Sequence, residues 1–69
     1  MSKQDILEMK SFVVDSYATL FNCDIHEAEK IVSKSSFIKT LNENPAFVMH
    51  YDDEYWAKRI NNELKGYIH

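Results

Sequence analysis

The scarcity of glycine and proline constrains this chain more than any other feature of its sequence. Among 69 residues there is one glycine, Gly66, and one proline, Pro45. Tight turns depend on residues that tolerate unusual backbone angles, and folds rich in β-hairpins need many such turns. The chain therefore offers few places for tight turns, and we expect an all-α fold.

The length predicts one domain with a thin core. A domain of about 60 residues buries only about 60% of the surface that its unfolded chain exposes. Cys23 is the only cysteine, so no disulfide can form within the chain. Small domains without such a cross-link depend on close helix packing, oligomerisation or a partner. We expect a single helical domain over residues 1–69 that an oligomer or a partner would stabilise further.

Apolar residues recur at helical spacing in the first half of the chain. They predict a long N-terminal helix from about Lys3 to about Phe21, with Ser2 in the N-cap position. After a short break, Asp24 is a typical N-cap for a second helix. Glu27 follows it by three residues, which is the spacing of a capping box.

Two further helices are expected in the second half. Ser35 or Ser36 can cap a short third helix, which should end by about Glu43 because the residue before Pro45 avoids helical geometry. The acidic run 52–54 indicates the start of a C-terminal helix, since the helix macrodipole stabilises negative charge at its N-terminus.

Residues 46–51 are ambiguous between an extended connector and a short helical turn. The run from Phe47 to Tyr51 has strand propensity, but its polarity does not alternate and the chain offers no partner strand. We therefore expect a small bundle of three to four helices, with the long N-terminal helix and the C-terminal helix as the main packing pair. The predicted core consists of Ile6, Val13, Tyr17, Leu20, Ala28, Ile31, Val32, Phe37, Leu41, Trp56, Ile60 and Leu64.

The charge balance disfavours two classes of partner. Eight Lys and Arg against eleven Asp and Glu give a formal net charge of -3. An acidic excess opposes non-specific binding to nucleic acid and to anionic membranes. No apolar run approaches the roughly 18 residues needed to span a bilayer, and the N-terminal residues lack a signal-peptide pattern. We expect a cytoplasmic protein with no membrane partner, and the charge disfavours nucleic acid as a partner.

The sequence gives no metal-binding or catalytic motif. Cys23 and the histidines His26, His50 and His69 lack the paired spacing of zinc ligands. Cys23 precedes a helix N-terminus, where a thiolate can be stabilised. A free cysteine at a helix junction more often acts as a small hydrophobic residue. We predict no catalytic residue, no metal and no cofactor.

A helix-turn-helix is the alternative interpretation of the second and third helices, with Ser33–Ser36 as the turn. A recognition helix must neutralise phosphates and present donors to the bases. The third helix offers Lys39, Thr40 and Asn42, which is a weak electrostatic footprint for DNA. A nucleic-acid-binding regulator remains the second hypothesis for function.

The aromatic residues point to an interaction surface. There are nine, or 13% of the chain, which is more than a thin core readily hides. Phe12 lies off the apolar stripe of the first helix, among Asp5, Glu8, Asp15 and Thr19, and aromatic side chains are enriched at binding hot spots. The candidate partner-binding residues are Phe12, Asp15, Phe47, Tyr51 and Tyr55.

Lys10 is a second irregularity, because it falls inside the apolar half of the first helix. Together with Phe12 and the run from Phe47 to Tyr51, it marks where we expect function to reside. We predict a non-enzymatic protein-protein interaction module. Its partner would be another protein or a second copy of the chain in a homodimer.

A further pattern runs from Asp24 to about Ile60, and its features are Glu27-Ala28, Ser36-Phe37, His50, Trp56-Ala57 and Ile60. This pattern resembles small bacterial and phage helical proteins, some of which are encoded beside toxin-like partners. The resemblance implies a bacterial or phage origin and a role as an antitoxin, inhibitor or regulator, and it carries over no site residues.

Overall fold

Helices account for most of the residues that the computed structural model describes, which are residues 3–66. This range contains no strand, so the all-α prediction is confirmed for it. It holds five helices instead of three to four, because residues after Pro45 form a short helix of their own. The predicted N-cap Ser2 lies outside the described residues. The helices are α1 (Lys3–Leu20), α2 (Ile25–Lys34), α3 (Ser36–Glu43), α4 (Pro45–Val48) and α5 (Asp53–Gly66).

The break between α1 and α2 has a clear local cause. Asn22 adopts a left-handed conformation with φ 50°, which asparagine tolerates better than most residues. The amide of Cys23 then donates to the carbonyl of Ala18 at 3.0 Å, which is the bond that defines a Schellman motif. Asp24 caps α2 as predicted. Its carboxylate accepts from the amide of His26 at 2.8 Å, whereas the predicted capping box uses the amide of Glu27.

The junction between α2 and α3 is a single residue, Ser35. Its hydroxyl donates back to the carbonyl of Val32 at 2.6 Å, and its side chain does not cap α3. The cap comes instead from Glu63 of α5, whose carboxylate accepts from the Ser36 amide at 3.0 Å and from the Ser36 hydroxyl at 2.5 Å. The capping contact therefore also ties α5 to the start of α3.

The ambiguous segment proves to be helical. Asn44 ends α3 and caps α4, because its side chain accepts from the amide of Phe47 at 3.3 Å. Pro45 occupies the first turn of α4, where its missing N–H costs nothing and its fixed φ suits a helix. A turn and a bend lead to Asp52, whose carboxylate accepts from the Tyr55 amide at 2.8 Å at the start of α5.

The core lies where α1 packs against α5 and α2, and the α1–α5 pair is the most extensive, as predicted. Trp56 is 2% exposed, donates from Nε1 to the carbonyl of Val48 at 2.9 Å, and lies 5.3 Å from the ring of Phe37. The buried residues are Met9, Val13, Val14, Tyr17, Ala28, Val32, Phe37, Leu41, Val48, Trp56, Ala57 and Ile60.

The prediction that Leu20 and Leu64 belong to the core is wrong. Leu20 is 39% exposed and Leu64 is 40% exposed. Each lies in the last turn of its helix, where helical periodicity continues but neighbouring helices cover less of the side chain. Two others, Ile6 and Ile31, are half-buried and pack against the core.

Within residues 3–66, no helix has both the length and the apolar character needed to cross a bilayer.

Candidate protein-binding surfaces

Phe12 lies on the outward face of α1 and is 56% exposed. The inward face of the same helix supplies Val13 and Tyr17 to the core. Asp5 precedes Glu8 by three positions, and Phe12 lies four positions after Glu8 and three before Asp15, so the three carboxylates share one side of the helix with Phe12. The prediction that Phe12 stands outside the core is confirmed.

Shallow depressions flank Phe12 on both sides, and we call their lining the Phe12 surface. One depression separates α1 from Met49, and the other separates α1 from the first turn of α5. Among the described residues that line them, five are acidic and none is lysine, arginine or histidine. The Phe12 surface consists of Asp5, Glu8, Met9, Phe12, Asp15, Ser16, Thr19, Leu20, Met49, Asp53 and Glu54.

The position of Asp53 links this surface to the fold. The hydroxyl of Ser16 donates to the carboxylate of Asp53, which joins the middle of α1 to the N-terminus of α5. Asp53 and Glu54 belong to the first turn of α5, where the helix dipole favours negative charge. The start of α5 therefore adds two carboxylates to the acidic face of α1.

The other predicted partner-binding residues, Phe47, Tyr51 and Tyr55, form a separate group around the core residue Trp56, and we call these four residues the aromatic cluster. The rings of Tyr51 and Tyr55 stack with centroids 4.2 Å apart, and Phe47 meets the edge of Tyr51 at 5.7 Å. Phe47 and Tyr51 are 43% and 41% exposed, while Tyr55 is half-buried. These rings also cover Trp56, so part of their role is to hold α4 against α5.

Arg59 completes the aromatic cluster on its α5 side. Its guanidinium donates to the Tyr55 hydroxyl at 3.2 Å and lies 5.8 Å from the centre of the Trp56 ring, within the range of a cation–π contact. A positive charge therefore stands over this cluster, in contrast to the Phe12 surface. Arg59 is not among the residues predicted from the sequence, although it follows Tyr55 by four residues, which places both on one side of a helix.

The predicted residues thus fall into two groups. Phe12 and Asp15 line one depression, and Phe47, Tyr51 and Tyr55 lie together in the aromatic cluster. Met49, which is 38% exposed, lines the other depression beside Phe12. The sequence prediction missed Met49, Asp53 and Glu54, because they reach Phe12 only through the packing of distant segments.

Lys10 lies on another side of α1, in a depression between α1 and α2. It is half-buried, and Asp15 and Glu29 line the same depression with carboxylates of opposite charge. Leu7 and Ile25 line it too and are 66% and 44% exposed. This depression therefore mixes apolar groups with both signs of charge, and the irregular Lys10 has acidic neighbours within the chain.

The geometry around Cys23 disfavours a nucleophile. Burial, followed by the nearby carboxylates of Glu27 and Asp24, raises the pKa of the Cys23 thiol. The thiol donates to the Asp24 carbonyl at 3.4 Å, and His26 is exposed. A raised pKa keeps the thiol protonated, whereas a reactive cysteine needs the thiolate.

Across the described range, no three His, Cys, Asp or Glu side chains converge in a way that could hold a metal ion.

The helices proposed for DNA reading are joined more tightly than in the usual motif. A helix-turn-helix has a turn of about three to four residues, whereas only Ser35 separates α2 from α3. Lys39 is exposed on α3, but the hydroxyl of Thr40 is used internally and donates to the Ser36 carbonyl at 3.1 Å. Neither the short junction nor the internal hydrogen bond of Thr40 supports DNA reading by these two helices.

Comparison of the chain with protein-family models, with curated proteins and with solved structures yields no match.

Proposed function

We propose that this chain is a non-enzymatic module that binds another protein through the Phe12 surface. The observation that carries the proposal is Phe12 itself, 56% exposed between two depressions on a helix whose other face is already buried. The resemblance to small bacterial and phage proteins supports the more specific form of an antitoxin, inhibitor or regulator.

The energetics favour binding at this position over other exposed apolar residues. Fully burying a phenylalanine side chain is worth about 1.5–3 kcal/mol, so a partner that covers Phe12 gains a substantial part of that free energy. Singly exposed apolar residues are common on protein surfaces and need no partner. Phe12 differs because it is aromatic and lines two depressions that can receive a partner's side chains, whereas the exposed Leu7 and Ile25 line one depression.

The test is affinity capture from the organism that encodes the chain, with wild type, Phe12→Ser and Leu7→Ser as baits. Leu7→Ser is the matched control, since Leu7 is 66% exposed on the same helix but outside the Phe12 surface. We expect Phe12→Ser to weaken binding of the specific partner by about tenfold or more, as loss of a hot-spot aromatic does. Leu7→Ser should retain the partner.

Circular dichroism must show that all three baits are folded. A partner retained equally by wild type and Phe12→Ser would exclude the Phe12 surface as the binding site. A partner lost only with Leu7→Ser would move the site to the depression between α1 and α2.

A further inference from the structure

We propose that the segment received by the Phe12 surface is a cationic amphipathic helix of another protein, rich in Lys or Arg and carrying an apolar side chain that contacts Phe12. This inference rests on the proposed function and specifies the chemistry of the partner.

The charge of the surface selects a cationic partner. Its five carboxylates come from the N-terminal turns of α1, from its middle and from the start of α5. The described members of the Phe12 surface include no lysine, arginine or histidine. Lys10 lies in the neighbouring depression between α1 and α2, which Asp15 also lines, and Arg59 lies over the aromatic cluster. A patch of one sign attracts the opposite sign and increases the rate of encounter.

The shape of the surface fits a helix better than a small molecule. From Asp5 to Thr19 the outer face of α1 extends over 14 residue steps, or about 21 Å at 1.5 Å per residue. The two depressions hold about 220 and 280 Å³, less than the roughly 300–1,000 Å³ of typical small-molecule pockets. Volumes of this size suit single side chains projecting from a partner helix.

The same charges argue against a second copy of the chain at this site. A two-fold symmetric contact would place the Phe12 surface against itself, so the five carboxylates of one copy would be brought close to the five of the other, with no basic member of the surface between them. Like charges brought together at an interface are unfavourable. A polyanion such as DNA is disfavoured for the same reason. A cationic protein segment satisfies both the apolar centre and the acidic surroundings.

The probe is a synthetic Lys/Leu amphipathic peptide of about 18 residues, long enough to form a helix. A second peptide has Glu at every Lys position, and a third has Gln. Binding to the full chain is followed by fluorescence anisotropy at about 50 mM and about 300 mM salt, which shortens the Debye length about 2.4-fold. We expect only the Lys peptide to bind, and salt to weaken its binding.

Variants of the chain locate the contact. Phe12→Ser should weaken binding of the Lys peptide about tenfold. Glu8→Gln combined with Asp15→Asn removes one carboxylate on each side of Phe12 and should weaken binding at least about threefold more than its control does. The matched control combines Glu29→Gln with Glu43→Gln, which removes two exposed carboxylates from α2 and α3.

The outcomes separate the inference from the proposed function. Equal weakening by the two double variants would mean general charge attraction and would overturn the inference. Failure of the Lys peptide to bind would overturn it too. Phe12-dependent binding of the Gln or Glu peptide would exclude a cationic partner while leaving protein binding through Phe12 intact. The proposed function itself fails only if captured partners are indifferent to Phe12.

Discussion

Two titratable side chains near the end of α1 make stability sensitive to alkaline pH. Burial raises the pKa of the Tyr17 phenol above its ordinary 10.0, and a smaller contribution comes from the negative charge of Cys23 when that thiol ionises. Burial also raises the pKa of the Cys23 thiol above its ordinary 9.0. In both cases the fold disfavours the ionised form, so the unfolded chain loses these protons at lower pH than the folded chain does.

We therefore expect these two groups to cause no change in the free energy of unfolding with pH below about pH 9. Above that pH, the free energy of unfolding should fall as pH rises. Urea unfolding at a series of pH values, followed by circular dichroism, measures the slope. Cys23→Ser should reduce the slope between about pH 9 and 10, where the unfolded thiol ionises. An unchanged slope in Cys23→Ser would show that the thiol does not contribute.

At the same scale, helical periodicity predicted exposure well in the middle of helices and poorly at their ends. The spacing places Phe12 off the apolar stripe of α1, and Phe12 is exposed. It places Leu20 and Leu64 on apolar stripes, yet both are exposed because helix ends have fewer neighbours. Periodicity records which face a residue occupies, whereas burial also depends on how far the neighbouring helices extend.

At the level of elements, local capping signals predict α2 but leave α4 ambiguous. Asp24 is a typical N-cap, and α2 follows it. Asn44 and Pro45 indicate the end of α3 and leave residues 46–51 open between an extended connector and a short helical turn, although an asparagine cap followed by proline also begins a helix. Glu63 caps α3 from 27 residues away, so no local pattern could predict that contact.

The short helix α4 depends on α5 for its position. Four residues are too few to form a stable helix alone, because helix nucleation is unfavourable. Trp56 supplies the link, since its Nε1 donates to the carbonyl of the fully buried Val48 at 2.9 Å and its ring contacts Phe47. The loss of either the hydrogen bond or the ring should therefore destabilise the whole domain.

We expect Trp56→Phe to lower the free energy of unfolding by about 1–2 kcal/mol, since it removes a buried hydrogen bond but keeps an aromatic ring. Trp56→Ala should cost about 3–5 kcal/mol, which approaches the entire stability of so small a domain. Urea unfolding followed by circular dichroism measures both. Tyr51→Phe is the control and should stay within about 0.5 kcal/mol of wild type. Wild-type stability in Trp56→Phe would exclude the hydrogen bond as the link.

For the whole molecule, the composition of the Phe12 surface could be anticipated only in part. Phe12 and its acidic neighbours on α1 follow from helical spacing within one segment. Met49, Asp53 and Glu54 join them because α1 packs along α5, a contact between segments more than 30 residues apart in sequence. The net charge of -3 describes the whole chain and does not show that five of its eleven acidic residues share one surface.

This uneven distribution of charge leads to a prediction about self-association. The sequence alone is compatible with either another protein or a second copy as the partner. If the carboxylates around Phe12 prevent symmetric pairing, wild type should be monomeric in sedimentation equilibrium at physiological salt, where the Debye length is about 8 Å. Glu8→Gln with Asp15→Asn reduces the repulsion and should associate more than Glu29→Gln with Glu43→Gln. A wild-type dimer that Phe12→Ser dissociates would instead identify a second copy as the occupant of the Phe12 surface.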